Sequence, residues 1–202
     1  MQEYQLQKKQ DTPSGTSAIL EMIEDNPIIT AVKDDSGLEA CLKAESGVVF
    51  ILFGDICNIH EIVKRIKENG KIAIVHMDLL GGIGSKDVAV DFIRNQTEAD
   101  GIISTKTTLL KRAKELGMFT VLRSFILDSM SLNGIRRQYE QVKPNMVEIL
   151  PGIMPKITKR VVEEIPVPVI CGGLISDKED IISALSAGAA AISSTNQTIW
   201  EL

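Results

Sequence analysis

The chain has 202 residues, 44% of them apolar, which is enough to bury the core of one large domain or two small ones. Its formal charge of −5 argues against a broad basic surface, so any nucleic-acid contact needs a local basic patch. No apolar run reaches the length of a membrane span. The three cysteines lack CxxC spacing, which argues against a disulfide framework or a structural zinc site and favours a reducing cytoplasm.

In chain order, residues 1–17 are polar and are interpreted as a loose N-terminal tail, and residues 18–202 as a single domain. A short amphipathic helix capped by Ser17 is predicted over residues 17–25. Eight strands follow, predicted at residues 28–32, 48–54, 71–77, 101–104, 119–123, 146–150, 167–171 and 189–193. Between them, helices are predicted at 36–45, 58–69, 86–96, 106–116, 129–142, 155–164 and 177–187, with a stub at 197–202.

The strand pattern indicates an α/β fold. Several strands, such as residues 48–53, are apolar on both alternating faces, as in a parallel sheet covered by helices. Gly70, Gly117 and Gly188 stand where helices are expected to end. Eight β-α units without a break in composition predict a small (β/α)8 TIM-type barrel, with room for one irregular or missing helix. An open flavodoxin-like sheet is the alternative.

Two late strands end in small residues, in the segments 170–173 and 191–196. Glycine lets the backbone approach a ligand, while hydroxyls and the N–H groups of the following turn can bind an anion. In a barrel, strands seven and eight often form a phosphate site at this position. We therefore predict that Gly172, Gly173, Ser193 and Ser194 bind a phosphate group. The alternative is a pair of ordinary strand-to-helix turns.

Other strand ends carry polar side chains that would meet at the same mouth. His76 and Asp78 share one face of the third strand and suit hydroxyl binding or acid–base work, although a structural histidine bonded to a carbonyl is the alternative. Arg123 and Glu148, on neighbouring strands, form either a structural ion pair or a site in which Glu148 accepts hydroxyls and Arg123 supplies charge. Lys106 is an anion ligand or a solvated lysine at a helix start.

Conventional catalytic or metal-binding groupings are weak in this sequence. A metal site from His76, Asp78 and Glu148 is disfavoured because only one histidine is well placed, and no metal is expected. No convincing order of serine, histidine and aspartate or of cysteine and histidine occurs, and Cys171 reads as a small core residue within a strand.

Five short motifs in one order resemble the glycerol-uptake operon antiterminator regulatory family. They are residues 75–79, 101–105, 147–155 and 191–196 and the closing Trp200, and the resemblance covers about residues 27–202. It implies a barrel-shaped regulator that responds to glycerol 3-phosphate and acts on the leader of the glycerol-uptake messenger RNA, with no established turnover and no cofactor. By position, the two glycines and two serines would take the phosphate.

The resemblance also implies where the rest of the ligand and the RNA would bind. The glycerol end would lie at the rim that carries His76, Asp78, Lys106, Arg123 and Glu148. RNA contact would use one of the basic clusters on the outer helices, of which Arg136 and Arg137 are the candidate pair, although each cluster also reads as a solvated helix face. Only eight aromatic residues are present, so no base-stacking platform is evident. Oligomerisation is left open.

Three functions therefore compete. The first is the ligand-gated antiterminator, which rests on the resemblance. The second is a small phosphosugar or glycerophosphate enzyme that uses His76, Asp78 and Glu148, which the barrel supports by analogy only. The third is a phosphate-ligand sensor that acts through a protein partner.

Overall fold

The computed structural model describes residues 15–202, which form a closed barrel of eight parallel strands in chain order. The strands are β1 (Ile28–Val32), β2 (Val48–Ile51), β3 (Ile72–His76), β4 (Gly101–Ser104), β5 (Phe119–Phe125), β6 (Met146–Leu150), β7 (Val169–Gly172) and β8 (Ala191–Ser194). The helices are α1 (Thr16–Asp25), α2 (Asp35–Cys41), α3 (Ile59–Glu68), α4 (Asp87–Gln96), α5 (Thr107–Glu115), α6 (Ser129–Val142), α7 (Pro155–Glu164) and α8 (Lys178–Ser186).

Closure of the sheet confirms the TIM-type (β/α)8 barrel and excludes the open flavodoxin-like alternative, because β1 pairs in parallel with both β2 and β8. The irregular unit is the last one, in which β8 is followed by a short 3₁₀-helix, Gln197–Glu201. Trp200 on this helix is buried, and its Nε1 donates to the Ser194 carbonyl at 2.8 Å. No helix within residues 15–202 combines the length and hydropathy needed to cross a bilayer.

Element boundaries differ from prediction where local bonds or proline intervene. Helix α2 ends at Cys41, four residues early, and the buried Lys71 ammonium holds the following turn by donating to the Ala44 carbonyl at 2.7 Å. Strand β7 starts at Val169, because Pro168 has no N–H to contribute to the sheet. The other bounds of the strands and of the helices between them differ by three residues or fewer.

The predicted Ser17 cap of the first helix is wrong. Helix α1 begins at Thr16 with Gly15 at its N-cap and no side-chain cap. Ser17 lies inside the first turn, where its hydroxyl donates to Glu21 at 3.0 Å, so it is two residues beyond the N-cap position. Of the predicted tail, residues 1–14 lie outside the described residues.

Helix α1 closes the amino-terminal end of the barrel. Its Ile19 and Ile23, each 3% exposed, pack with residues at the starts of the strands. The strand residues of this interior cluster are Ile29, Ala31, Val48, Phe50, Ile72, Ile74, Ile103, Phe119, Val121, Met146, Ile170 and Ala191. A second, larger cluster lies between the strands and the surrounding helices. The barrel is thus filled with apolar side chains from one end, and its chemistry is confined to the opposite end.

Candidate functional site

The topmost inward-facing layer of the barrel is polar on the side of β3, β5, β6 and β8, whereas Ala31 of β1, Phe50 of β2 and Leu52 directly after β2 add apolar side chains to the cavity at this end. Side chains alternate between the two faces of a strand, so positions two residues beyond an inward apolar side chain also point inward. Beyond Ile74, Val121, Met146, Ile170 and Ala191 of the interior cluster stand His76, Arg123, Glu148, Gly172 and Ser193. The interior therefore changes from apolar to polar at the carboxyl ends of the strands, where barrels of this class bind ligands.

Glu148 is the centre of this layer. Arg123 and Glu148 are direct cross-strand partners, and Arg123 Nε lies 3.4 Å from Glu148 Oε2, which confirms the prediction that they face each other inside the barrel. The Ser193 hydroxyl donates to Glu148 Oε1 at 2.5 Å. Burial raises the pKa of Glu148, while Arg123 and the Ser193 hydrogen bond act in the opposite direction.

Three buried polar atoms of the layer have no hydrogen-bond partner among the described residues: His76 Nδ1, Arg123 Nε and Glu148 Oε2. Burial, and then the nearby Arg123 charge, lower the pKa of His76 to about 4, so its ring is neutral at pH 7. Arg123 Nε and Glu148 Oε2 face each other as an ion pair at 3.4 Å but do not form a hydrogen bond. Buried polar groups in native proteins are nearly always hydrogen-bonded, so three such atoms at one end of a barrel leave room for hydrogen bonds with an external polar group.

A cavity of about 410 Å³ opens at this end. Its lining includes five of the predicted site residues: Arg123, Glu148, Gly173, Ser193 and Ser194. The other four, Gly172, His76, Asp78 and Lys106, do not line it. Gly172 lies behind the wall, where a Cβ would approach Glu148 Oε1 to 2.5 Å and Ser193 Oγ to 2.7 Å. The missing side chain of Gly172 thus makes room for the Glu148–Ser193 hydrogen bond.

The loop after β7 supplies lining residues that sequence reasoning missed. Gly173 and Leu174 both have positive φ, 75° and 64°, and this conformation is strained for leucine. Leu174, Ile175 and Ser176 line the cavity, together with Thr195 and Asn196 of the loop after β8. The sequence signal that could have identified these lining residues is their position directly after the ends of β7 and β8.

Some donors of the predicted phosphate site already have partners inside the protein. The Ser194 hydroxyl donates to the Ile175 carbonyl at 3.2 Å, and the Ser176 N–H donates to Asp180 at 2.9 Å. The Asn196 N–H donates to the Ser194 hydroxyl at 3.1 Å. A bound anion would therefore replace the acceptor in one of the longer of these hydrogen bonds, or accept hydrogen bonds from other groups of the two loops.

Asp78 anchors a neighbouring loop. It accepts from the Thr105 N–H at 2.7 Å and from the Ser104 and Thr105 hydroxyls at 3.1 Å, and Lys106 Nζ lies 3.4 Å away. Burial alone would raise the pKa of Asp78, but these donors and His76 lower it below its usual value. Both oxygens are thus occupied in holding the turn between β4 and α5, and Lys106 also contacts Ser85.

The remaining predicted groups lie elsewhere or do not assemble. Arg136 and Arg137 are exposed on α6, away from the cavity lining, and Arg136 donates to the Glu164 carbonyl at 3.2 Å. Across residues 15–202, no three His, Cys, Asp or Glu side chains converge in a way that could hold a metal ion. The metal alternative for His76, Asp78 and Glu148 therefore finds no support.

Comparisons with known proteins agree with this architecture. The family described as glycerol-3-phosphate responsive antiterminator matches residues 28–200. The chain is 46% identical over 184 residues to the uncharacterised protein YgcP of Escherichia coli strain K12, covering 91% of this chain and 96% of that protein.

Two crystal structures of bacterial proteins share the fold and much of the sequence. The glycerol uptake operon antiterminator regulatory protein of Listeria monocytogenes superposes with a TM-score of 0.84 at 30% identity, covering 87% of this chain and 95% of that one. A glycerol uptake operon antiterminator-related protein of Thermotoga maritima gives 0.77 at 33% identity, covering 87% and 98%. With a family match that spans the whole barrel, this chain belongs to the glycerol-3-phosphate responsive antiterminator family.

Proposed function

We propose that this chain is a cytoplasmic regulator that binds glycerol 3-phosphate in the mouth of the barrel and acts on the leader messenger RNA of a glycerol-uptake operon, without turnover. The observation that carries the ligand site is a set of three buried atoms that have no hydrogen bond within the described residues, His76 Nδ1, Arg123 Nε and Glu148 Oε2, at the cavity end of the barrel. The last two contact each other only as an ion pair at 3.4 Å. Family membership supports the identity of the ligand and the regulatory role.

The two halves of such a ligand suit different sides of the cavity. Glycerol hydroxyls can donate to Glu148 Oε2 and accept from Arg123 Nε, which would give both atoms of this ion pair the hydrogen bond that they lack. The phosphate would lie against Gly173, Ser193 and Ser194, where the Gly173 backbone has left-handed geometry. To donate to it, the Ser193 and Ser194 hydroxyls would turn away from Glu148 and from the Ile175 carbonyl. Gly172 contributes by leaving space, and Arg123 supplies positive charge to the same cavity.

His76, Asp78 and Lys106, which lie beside the cavity, have a supporting role in this proposal. Asp78 and Lys106 hold the loop after β4, which forms part of the same rim. His76 is neutral and offers a ring nitrogen that can either donate or accept, depending on its tautomer. Because these three residues do not line the cavity, they would orient the glycerol end of the ligand through the groups around it and not by direct contact.

Calorimetry and thermal unfolding with glycerol 3-phosphate, glycerol and inorganic phosphate test the ligand. At one hundred times Kd, glycerol 3-phosphate should add about 2.7 kcal/mol to the free energy of unfolding. Glu148→Gln keeps the shape and should weaken binding by about 1–3 kcal/mol. The control Glu98→Gln, at an exposed site, should not change it. Equal stabilisation by phosphate alone, or unchanged affinity in Glu148→Gln, would contradict the proposed ligand pose.

RNA binding tests the regulatory half. Leader RNA should bind the protein more tightly than an unrelated RNA of equal length, and more tightly when glycerol 3-phosphate is present. If neither preference is seen, direct RNA recognition is wrong, and action through a protein partner becomes the better account.

A further inference from the structure

Positive charge is concentrated in one third of the barrel. Residues 105–164 contain 11 Lys and Arg against 6 Asp and Glu, a net charge of +5. All other residues together contain 11 Lys and Arg against 21 Asp and Glu, a net charge of −10. A chain that is acidic overall therefore carries one basic sector, centred on the successive helices α5, α6 and α7.

The cations of this sector lie on one continuous outer surface. Helix α6 packs between α5 and α7. At the first seam, Lys114 Nζ donates to the Lys143 carbonyl at 2.7 Å. At the second, Arg160 donates to Asn133 at 2.9 Å. We call the exposed surface of α5, α6 and α7 the basic face; its exposed cations are Lys111, Lys114, Arg136, Arg137, Lys143, Lys156, Lys159 and Arg160.

The positive charge of these cations is not neutralised by acidic side chains of the described residues, although Lys114, Arg136 and Arg160 donate hydrogen bonds to uncharged groups. None of the eight forms an ion pair within the described part of the chain, whereas Arg65, Lys67 and Arg112 each pair with an acid. The acids on the three helices are Glu115, Glu140, Glu163 and Glu164, and Glu115 is already paired with Arg112. Unpaired surface cations that outnumber nearby acids are suited to a polyanion.

The basic face suits the backbone of a helical RNA better than unstacked bases. Proteins that hold single-stranded RNA stack its bases on exposed aromatic rings. The three helices contain one aromatic residue, Tyr139, and it is buried at 8% exposure. Base-paired RNA presents two rows of phosphates and is recognised mainly through its shape and backbone.

The basic face is also connected to the ligand cavity. Arg123 and Glu148 stand on β5 and β6, the strands that lead into α6 and α7. The Ser124 hydroxyl, next to Arg123, donates to Gln138 of α6 at 3.3 Å. A ligand that moves Arg123 or Glu148 therefore acts on strands that support two of the three basic helices.

We propose that the basic face binds the phosphate backbone of a base-paired segment of the leader RNA. This inference rests on the proposed function, because the RNA target comes from that proposal. It adds the surface that makes contact and the kind of RNA structure that the surface fits.

The test compares two variants of the full chain with equal changes in charge. In one, Lys111, Arg137, Lys156 and Lys159 of the basic face are changed to Glu; the side chains of these four make no hydrogen bond with any residue from 15 to 202. In the control, the exposed Lys33, Lys43, Arg94 and Lys178 of the acidic remainder are changed to Glu. Fluorescence anisotropy measures binding of a leader RNA hairpin, with saturating glycerol 3-phosphate, over a range of KCl concentrations.

We expect RNA to bind the basic-face variant at least about tenfold more weakly than the wild type. The slope of log K against log salt should become less steep by about four, one for each phosphate contact removed. The control should change affinity by less than about threefold at 0.15 M salt, because screening acts over about 8 Å. Glycerol 3-phosphate affinity and melting temperature verify that both variants fold. If the variant with four substitutions does not fold, the double variant Arg137→Gln with Lys159→Gln should make the salt dependence of RNA binding less steep by about two.

Three results would overturn this inference. Equal losses in both variants would show an effect of net charge without a defined surface. Unchanged affinity in the basic-face variant, with normal binding by the wild type, would leave the proposed function standing and would place the RNA on another surface. Failure of the wild type to prefer leader RNA would instead refute the proposed function itself, and the inference with it.

Discussion

At the scale of single residues, the mouth of the barrel is built around polar groups that the protein itself leaves unsatisfied. Glu148 is 2% exposed and His76 3% exposed, yet each has a polar atom without a hydrogen-bond partner among the described residues. An unpaired buried polar group costs about 1–3 kcal/mol of stability. A regulator can accept this cost when the ligand supplies the missing partners, because the same cost then becomes binding energy.

His76 should make the stability of the protein depend on pH. Its pKa falls from 6.5 to about 4 on folding, so between these values the unfolded chain binds a proton that the folded chain does not. The free energy of unfolding should therefore fall by roughly 3 kcal/mol as the pH drops from 7 to 4, in addition to what the carboxylates contribute. Urea titrations at several pH values measure this component, which should be absent in His76→Gln.

The chain has a second histidine that serves as the control. His60 is exposed on α3, so His60→Gln should keep the pH-dependent component that His76→Gln loses. If both variants show the same dependence on pH as the wild type, His76 is not buried in its neutral form.

Gly172 should be intolerant of even a methyl group. In Gly172→Ala the new Cβ would meet Glu148 Oε1 at 2.5 Å and Ser193 Oγ at 2.7 Å, so their hydrogen bond must be displaced. We expect a loss of about 1–3 kcal/mol in stability, measured by urea unfolding, together with weaker ligand binding. Gly134→Ala is the matched control, because a Cβ on this glycine of α6 meets nothing within 4 Å, and it should stabilise the protein by roughly 0.5–1 kcal/mol. Wild-type behaviour of Gly172→Ala would show that the wall behind the cavity has spare room.

At the scale of elements, the two ends of the barrel are closed differently. Helix α1 covers the amino-terminal end with apolar side chains, whereas the carboxyl end is ringed by loops that carry the cavity. The last unit replaces a full α-helix with the 3₁₀-helix Gln197–Glu201, whose Trp200 anchors the loop after β8 through the Ser194 carbonyl. The apolar closure by α1 and the proposed ligand cavity thus lie at opposite ends of the barrel.

Helix α1 should therefore contribute to stability without contributing to ligand affinity. Ile23→Ala removes a side chain that is 3% exposed within the barrel interior and should cost about 2–5 kcal/mol in urea unfolding. Ligand affinity, measured under folded conditions, should stay within about twofold of the wild type. Ile182→Ala on α8, where the side chain is 55% exposed, is the control and should cost less than about 1 kcal/mol. A large change in ligand affinity on Ile23→Ala would mean that the two ends are coupled.

At the scale of the whole molecule, the barrel separates an internal ligand cavity from an external charged surface while joining them through shared strands. The polar layer at the mouth contains Arg123 of β5 and Glu148 of β6, and the basic face is formed by the helices around those strands. If the ligand and the RNA bind at these two places, the coupling between them must be reciprocal.

Reciprocity gives a prediction that needs no structural detail of the complex. Glycerol 3-phosphate should tighten RNA binding by the same factor by which RNA tightens glycerol 3-phosphate binding, typically about 1–3 kcal/mol in free energy. Anisotropy with and without ligand measures the first factor, and calorimetry with and without the RNA hairpin measures the second. Unequal factors would show that a third equilibrium, such as oligomerisation, contributes.

Much of the fold could be predicted from local pattern. Eight apolar segments separated by helical patterns indicated the barrel, and Gly70, Gly117 and Gly188 were expected at helix ends, where they have positive φ. The adjacency of strands five and six also predicted that Arg123 and Glu148 could pair inside the barrel, which their cross-strand pairing confirms. These features depend on neighbours within a few residues, so a single sequence contains them.

The sequence by itself thus determined the parallel barrel, its polar mouth and the pairing of Arg123 with Glu148. Only the tertiary structure decided that Asp78 is occupied by the loop after β4, that Gly172 makes room for the hydrogen bond between Ser193 and Glu148, and that α1 fills the far end of the barrel. Each of these depends on distances between segments far apart in the chain. A strand pattern specifies which way a side chain points, but the group it meets is specified only when the sheet closes and brings those segments together.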